Sequence, residues 1–382
     1  MAHRGATRGI IHTTPMALLV SLIAVRVLIV GVLIADAGRH AVDDPVVLRT
    51  YAVASSPASP YRGFPVAAMP LETTLMHVVG ADSPEATAVR LALLAFVADM
   101  AAYVAIGWGW GRRPAAVYLL LGLPLLPMLY QRFDLVSVAF AAWGAALLRV
   151  RTDDAGAAGV ALGLAIWAKL WPVVLVPVLL LRRARTSLIA VGALALVGGA
   201  AWYLRGGKKA PFQVLTLRDA VGWSVEGTVG SVLRAVGAAG PTSNDGNTVR
   251  FGTVPGLAAP LLFLLMVAVV ALIWWLAAAD ARETSGGPSL AAVAALLVCA
   301  PFVAAQYLSW LLPWAAIAFE GDERERRVAT AAVVAIALTG LTQLVTVGDG
   351  WIDAALLLAR NIALVAVVGV WLAPFALPRR TA

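Results

Sequence analysis

Charge is what this chain has least of: 13% of its 382 residues are Asp, Glu, Lys or Arg, against roughly a quarter in a soluble domain. So small a share excludes an ordinary soluble enzyme. Cysteine is almost missing. The single Cys299 lies in an apolar run, permits no intrachain disulfide and leaves the redox compartment unmarked. The few histidines do not converge in the sequence: His3 and His12 stand in the N-terminal tail, and His40 and His77 are isolated. There is no His-Glu-x-x-His, no cysteine pair and no Gly-rich phosphate loop ending in Lys, so neither a metal site nor a cofactor is expected. Strand-period alternation is also lacking, which excludes an outer-membrane barrel. The formal charge of +8 does not point to nucleic acid, because the 29 Lys and Arg form short clusters between apolar runs.

What is there is apolar: 61% of residues, in runs that fill most of the chain. A crossing of the hydrocarbon core takes about 20 such residues. The expected fold class is therefore all-α, a polytopic transmembrane helical protein forming one integral membrane domain over 1–382. Residues 16–35 could serve as a secretory signal with Ala35-Asp36-Ala37 at its end, but the run is too long and too many spans follow. It reads as the first span, with Arg4 and Arg8 on the cytoplasmic side. Further spans are expected at 86–110, 115–130, 134–149, 155–169, 170–182, 186–204, 256–278, 289–305, 306–319, 326–346 and 353–374, about twelve in all.

Topology follows from the arginines. If 65–80 lies in the interface or re-enters instead of crossing, Arg112/Arg113, Arg149/Arg151, Arg182/Arg183/Arg185, Arg282, Arg324/Arg326/Arg327 and Arg379/Arg380 all fall on one side, which the positive-inside rule makes cytoplasmic. Two long segments then face the other side, 36–85 and 205–255. Loops of that length usually carry function. The second is Gly-rich, shows no strong core and reads as a mobile loop. No internal repeat is visible, which weakens a transporter reading.

An ionisable residue at membrane depth costs several kcal/mol or more and is by default a functional hypothesis. On the expected topology these residues gather on the extracytoplasmic side: Asp43 and Asp44 after the first span, Arg132 and Asp134 in YQRFDLV, Lys169 in AIWAKLWP, Glu226, and Gln306 with Tyr307 in AAQYLSWLLP. Bland readings stand beside these. The Asp pair is as easily a solvated loop feature, Arg132 and Asp134 a capping ion pair, and Lys169 a snorkelling side chain. Trp223 and Trp310 fit an aromatic belt. Arg26 and Asp99, within spans, are expected to pair with neighbouring helices.

The segment DDPVVLRTYAVASSPASPYRGFPV resembles the first-loop pattern of the GT-C membrane glycosyltransferases, specifically glycosyltransferase family 87. YQRFDLVSVAF, GLAIWAKLWPVVLVP and AAQYLSWLLPW are similar to that family's Arg-x-Asp turn, Lys-aromatic-Pro motif and Gln-Tyr-x-x-Trp-x-x-Pro motif, in order from about residue 17 to 320. VGWSVEG at 221–227 faintly resembles a further stretch centred on a Glu. The chain departs where the family has Glu-Tyr-Pro-Pro after PYRDF, carrying Gly63, Ala67, Ala68 and Met69 there, and where Val221 and Gly227 replace a flanking Arg and Ser.

The resemblance implies transfer of a sugar, most often mannose, from a polyprenyl-phosphate donor to a lipid-linked or glycan acceptor at the extracytoplasmic face of a bacterial plasma membrane. A first-loop Asp acts as general base. Asp44 fits the family spacing better than Asp43. Arg62, Arg132 and Lys169 are the candidates for the donor phosphate. Asp134, which could also orient Arg132, Glu226 and Gln306 are the candidates for sugar hydroxyls, and Tyr61, Tyr307 and Trp310 for sugar or prenyl packing. The alternatives are a glycolipid transporter, which requires polar residues through the bilayer depth, and a GT-C-like scaffold that has lost activity.

Overall fold

The computed structural model describes residues 15–58, 60–63, 66–151, 156–215, 222–238, 240, 242–244, 249–253, 257–280, 284–345 and 350–376. Arg4, Arg8, Val221, Arg282, Arg379 and Arg380 lie outside the described residues. The expected apolar runs are helical over most of their described length, though the run expected at 289–305 ends at Cys299 and that at 170–182 opens in 3₁₀ geometry. The chain opens with α1 (Met16–Ala35), a short α2 (Ala37–His40), α3 (Pro45–Ser55), α4 (Pro70–Val79) and α5 (Pro84–Trp110). Then come α6 (Arg112–Gly122), α7 (Leu126–Leu129), α8 (Asp134–Val150), α9 (Gly156–Ala168), α10 (Pro177–Leu181) and α11 (Arg185–Gly206). The second half holds α12 (Lys209–Leu215), α13 (Thr228–Ala235), α14 (Ala258–Asp280), α15 (Gly287–Cys299), α16 (Leu312–Ala318), α17 (Glu323–Leu344) and α18 (Trp351–Ala376).

Proline sets several of the breaks. It removes a backbone donor and clashes with the preceding turn, and Pro124, Pro172 and Pro313 stand where helix gives way to 3₁₀ geometry or restarts, with 3₁₀ turns at Leu123–Leu125, Trp171–Leu175 and Ala305–Leu311. Among the described residues, six helices are long and apolar enough to cross a membrane: α1, α5, α11, α14, α17 and α18. The fold is that of a predominantly helical membrane protein. Its core is built from small residues that let helix backbones approach, as membrane bundles require. A Cβ on Gly159 would fall 2.0 Å from the Ser187 carbonyl oxygen, and one on Gly144 3.2 Å from that of Ala158.

Contacts fix which helix ends lie together. Arg113 pairs with Glu320 at 3.1 Å and Arg149 donates to the Gly109 carbonyl, so the arginine-bearing turns after α5, α8 and α16 share one pole. Ser137 near the start of α8 donates to Ala165 near the end of α9, so Asp134 and Lys169 share the opposite pole. The segment 65–80 is neither loop nor span. It holds α4, which packs on α3, α5 and α9 at that pole.

The segment 205–255 differs from the mobile loop expected of it. Among its described residues it carries α12, α13 and a small antiparallel sheet, β1 (Trp223–Ser224), β2 (Thr242–Asn244) and β3 (Val249–Phe251), in the order β1-β3-β2. Trp223, Val225 and Phe251 bury themselves between this sheet and Val229 and Leu233 of α13. The Gly-rich composition hid this unit because its apolar residues are few and widely spaced.

Candidate functional site

The first turn of α8 carries the site. Asp44 ends the turn after α2 and caps α3, its Oδ1 accepting from the backbone N–H of Val46 at 2.7 Å and Val47 at 3.2 Å. Asp before Pro at the first helical position is a strong start signal. The other carboxylate oxygen accepts from Arg132 Nη1 at 2.8 Å. Three donors therefore converge on one carboxylate, about one fewer than an ionised carboxylate can accept. Asp43 is exposed beside it. The ion pair that the sequence allows between Arg132 and Asp134 is instead Arg132 with Asp44.

Two residues along the chain, Asp134 turns inward and is buried. Its Oδ1 accepts from the Trp310 indole N–H at 2.8 Å, and Oδ2 lies 3.8 Å from Lys169 Nζ. Asp134 thus serves Lys169 and Trp310, and does not orient Arg132. Lys169, freed from the end of α9 by Pro172, donates to Glu72 Oε1 at 2.9 Å. It is held inside the protein and does not snorkel. Trp310 is sandwiched, with Tyr307 stacked at 4.2 Å between ring centroids and Trp171 at 5.3 Å. Trp310 and Trp223 both lie in the interior and not in a surface belt.

Glu72 is the residue that the sequence does not single out. It lies on the buried face of α4, 7% exposed. Burial pushes its carboxyl above the usual carboxylate range, against the pull of Lys169, while Asp134 adds to the rise and Arg49 opposes it. The signal in the sequence is a lone carboxylate within an otherwise apolar and hydroxylic turn, LETTLM. Around Lys169 two carboxylates face one ammonium, so this pocket is acidic unless one of them holds a proton.

Tyr61 and Arg62 sit apart from that cluster. Tyr61 has a φ of 70°, uncommon for a residue with a side chain. The conformation is held by its hydroxyl, bonded to the Ala68 carbonyl at 2.7 Å and to Thr73 at 2.8 Å, and by Gln213, which donates to the Tyr61 carbonyl. Burial pushes its phenol pKa up. Arg62 leaves this turn toward α11, donating to the Leu204 carbonyl at 2.7 Å. The structure therefore does not gather Arg62, Arg132 and Lys169 into one cationic group.

Glu226 is drawn down onto α18. Arg360, fully buried, reaches its carboxylate at 3.1 Å and also its carbonyl, while Asn361 donates to the carbonyls of Glu226 and Gly227 and to Ser231. Arg234 and Asp353 join α13 to the start of α18 at 2.7 Å. Gln306 follows Ala305, whose backbone N–H faces the Glu226 carboxylate, and precedes Tyr307. Tyr307 thereby stands between the Glu226 group and the Lys169 group. Sequence separation hides these partners, since Arg360 is 134 residues from Glu226.

No protein-family model, curated protein or solved structure matches the chain. The site has to be read from its own chemistry. One pole of the bundle holds a partly exposed carboxylate–guanidinium pair, Asp44 with Arg132. Behind it lie a buried ammonium flanked by two carboxylates and a stack of aromatic rings. Two ionisable residues within the spans are consumed internally: Arg26 Nε bonds Asp99 at 2.8 Å, its Nη2 donates to the Leu119 carbonyl, and the hydroxyls of Tyr118 and Tyr130 complete Asp99.

Proposed function

We propose that this protein is a GT-C-type glycosyltransferase similar to family 87, crossing a bacterial plasma membrane about twelve times with its site on the extracytoplasmic side. It moves a sugar, mannose first among the choices, from a polyprenyl-phosphate donor to a lipid-linked or glycan acceptor. The observation that carries this reading is the convergence of Asp44, Arg132, Asp134, Lys169 and Trp310, from four separate stretches of sequence, at the pole opposite the arginine-bearing turns. Arginines concentrate on the cytoplasmic side of short loops, and a lipid-linked sugar presents its phosphate at the membrane surface.

The reaction is one inverting displacement. An acceptor hydroxyl oxygen bonds the anomeric carbon as the bond from that carbon to the phosphate oxygen breaks. The hydroxyl proton goes to Asp44, and polyprenyl phosphate leaves with the electron pair. Arg132, a planar guanidinium suited to phosphate oxygens, stabilises the charge that develops there. Exchange of the Asp44–Arg132 pair for an Arg132–phosphate contact releases one carboxylate oxygen for proton transfer. Lys169 holds Asp134 and Glu72 in place, Tyr307, backed by the buried Trp310, offers a stacking face to the sugar, and Glu226 and Gln306 flank it.

The test is transfer from a labelled polyprenyl-phosphate sugar by Asp44→Asn and Asp43→Asn, each alone. General-base catalysis contributes typically about 10²–10⁴-fold, so Asp44→Asn is expected to lose that much while Asp43→Asn retains activity. Full activity in both variants sinks the assignment.

A further inference from the structure

Arg360 stands part-way along α18 and is fully buried. An arginine inside a span is by default a functional hypothesis, and its partner decides which function. Arg26, equally buried, pairs with a carboxylate of a neighbouring helix, whereas Arg360 turns its fork toward the outer segment between α12 and α14. Its Nη1 donates to the Glu226 carboxylate at 3.1 Å and its Nη2 to the Glu226 carbonyl. Asn361 beside it donates to the carbonyls of Glu226 and Gly227 at 3.2 Å and to the Ser231 hydroxyl at 2.8 Å. The turn closes so tightly there that a Cβ on Gly230 would lie 1.9 Å from the Ser224 carbonyl oxygen.

The Glu226 carboxylate passes this hold onward. It accepts from the Ala305 backbone N–H, and Ala305 opens the 3₁₀ turn Ala305–Leu311 that carries Gln306, Tyr307 and Trp310. The first N–H groups of a helical turn have no partner within it, and Ala304, the residue before, supplies no side-chain cap. Ala305 is buried, where an unmet donor is costly, so Glu226 caps the turn from a distant part of the chain. Strand β1 grips the same stretch: the Ser224 N–H donates to the Pro301 carbonyl at 3.3 Å and its hydroxyl to that of Val303 at 3.0 Å. Arg250 of β3 lies 4.8 Å over the Phe302 ring, which meets Tyr307 edge-on at 5.8 Å. Tyr307 is thus fixed by Trp310 at 4.2 Å and by Phe302, and stays only half-buried. We infer that Arg360 is a positioning residue for the sugar site: it holds Glu226 as the cap of the 3₁₀ turn and so sets the place of the Tyr307 ring.

The consequence of this linkage rests on the sugar-transfer reading, while the linkage itself rests on geometry alone. A stacking ring meets the sugar in the ground state and the transition state alike, so misplacing it raises KM and leaves kcat little changed. Loss of stability by itself gives no such split. Arg234 and Asp353 clamp α13 to α18 independently at 2.7 Å, so removing Arg360 frees the turn without releasing the whole outer unit.

Two measurements on the purified full chain in detergent micelles test it: the fluorine NMR resonance of a fluorotyrosine placed at position 307, and KM and kcat for transfer from a labelled polyprenyl-phosphate sugar. Arg360→Met is expected to move the resonance by more than its linewidth and to raise KM about tenfold or more, with kcat within about threefold. Glu226→Ala does the same, and Arg360→Met with Glu226→Ala goes no further than the larger single effect, because the two residues act in series. Ala305→Pro leaves the ion pair in place and removes only the capped N–H. Ala304 is already extended, as a residue before proline must be, so this variant folds and shows the same shift. Arg26→Leu breaks a buried pair elsewhere and leaves both the resonance and KM unchanged. An unmoved resonance in both Arg360→Met and Ala305→Pro, an unchanged KM in an active chain, additive effects in the double variant, or an equal shift in Arg26→Leu overturns the inference. A parent chain that transfers no sugar sinks the sugar-transfer reading, and the resonance still decides the linkage.

Discussion

Lys169 at the end of α9 donates to Glu72 of α4 across 2.9 Å, in a contact where both side chains are largely buried. A helix that lies at one pole of the bundle is thereby fastened to the bundle itself. Breaking a buried pair by removing one member costs about 3–5 kcal/mol, since the remaining charge is left uncompensated. Lys169→Met is therefore expected to destabilise the protein by about that amount. Lys169→Met with Glu72→Met should recover part of it, leaving Asp134 with Trp310. Denaturant unfolding of the detergent-solubilised variants measures both, and a double variant no more stable than the single one contradicts the pairing.

The same carboxylate sets a pH dependence. Burial raises the Glu72 pKa in the folded protein, so the folded state holds that proton more tightly than the unfolded state does. Its contribution to stability is then full below the unfolded carboxylate value of about 4.3 and is lost as pH rises through the folded value. Thermal stability is expected to fall across that window, and Glu72→Gln, which cannot ionise, to flatten the curve. Parallel pH curves for the two proteins would rule this out.

Asp44 has two duties that different substitutions separate. As the cap of α3 it satisfies two backbone donors, and as the partner of Arg132 it carries charge. Asn caps helices about as well as Asp, whereas Ala loses roughly 1 kcal/mol at such a position. Asp44→Asn should thus keep α3 formed and lose only the ionic partner, while Asp44→Ala loses both. Comparing thermal midpoints with transfer rates distinguishes the duties: a low rate in a well-folded Asp44→Asn belongs to chemistry.

How much of this was legible in the sequence depends on distance along the chain. The apolar runs gave the helices nearly to the residue at α8, which begins at Asp134 as expected, and at α9, which stops before Lys169. Many of the scarce polar residues could be seen gathering at helix ends, because a charge at membrane depth is costly; Arg26, Asp99 and Arg360 stand mid-helix instead. Their partners could not be seen. Arg132 reaches 88 residues back to Asp44 and passes over the adjacent Asp134, and Lys169 reaches 97 back to Glu72. Pairing across such separations is decided by how helices pack, which a periodicity does not record. Arg62 shows the same limit. It follows Tyr61 in the segment where a donor-phosphate contact was expected, yet the chain turns at the positive φ of Tyr61 and Arg62 reaches α11.

Arg26 and Asp99 form a second buried pair, within α1 and α5, that serves structure alone. Both are essentially unexposed, and every side-chain contact described for them is internal: Leu22 and Leu119 carbonyls for the arginine, Tyr118 and Tyr130 hydroxyls for the carboxylate. Gly122 makes room for the guanidinium, since a Cβ there would lie 2.8 Å from Arg26 Nη2. A polar path for transport would leave such residues facing a cavity, whereas here they tie α1, α5 and α6 together. Arg26→Leu, which strands Asp99, is expected to cost about 3–5 kcal/mol, and Arg26→Leu with Asp99→Leu less than the single change, because apolar replacement of a whole buried pair is often close to neutral. Unfolding curves for the single and double variants decide the matter, and a double variant that loses as much as the sum of its parts would show that the two residues do not act as a pair.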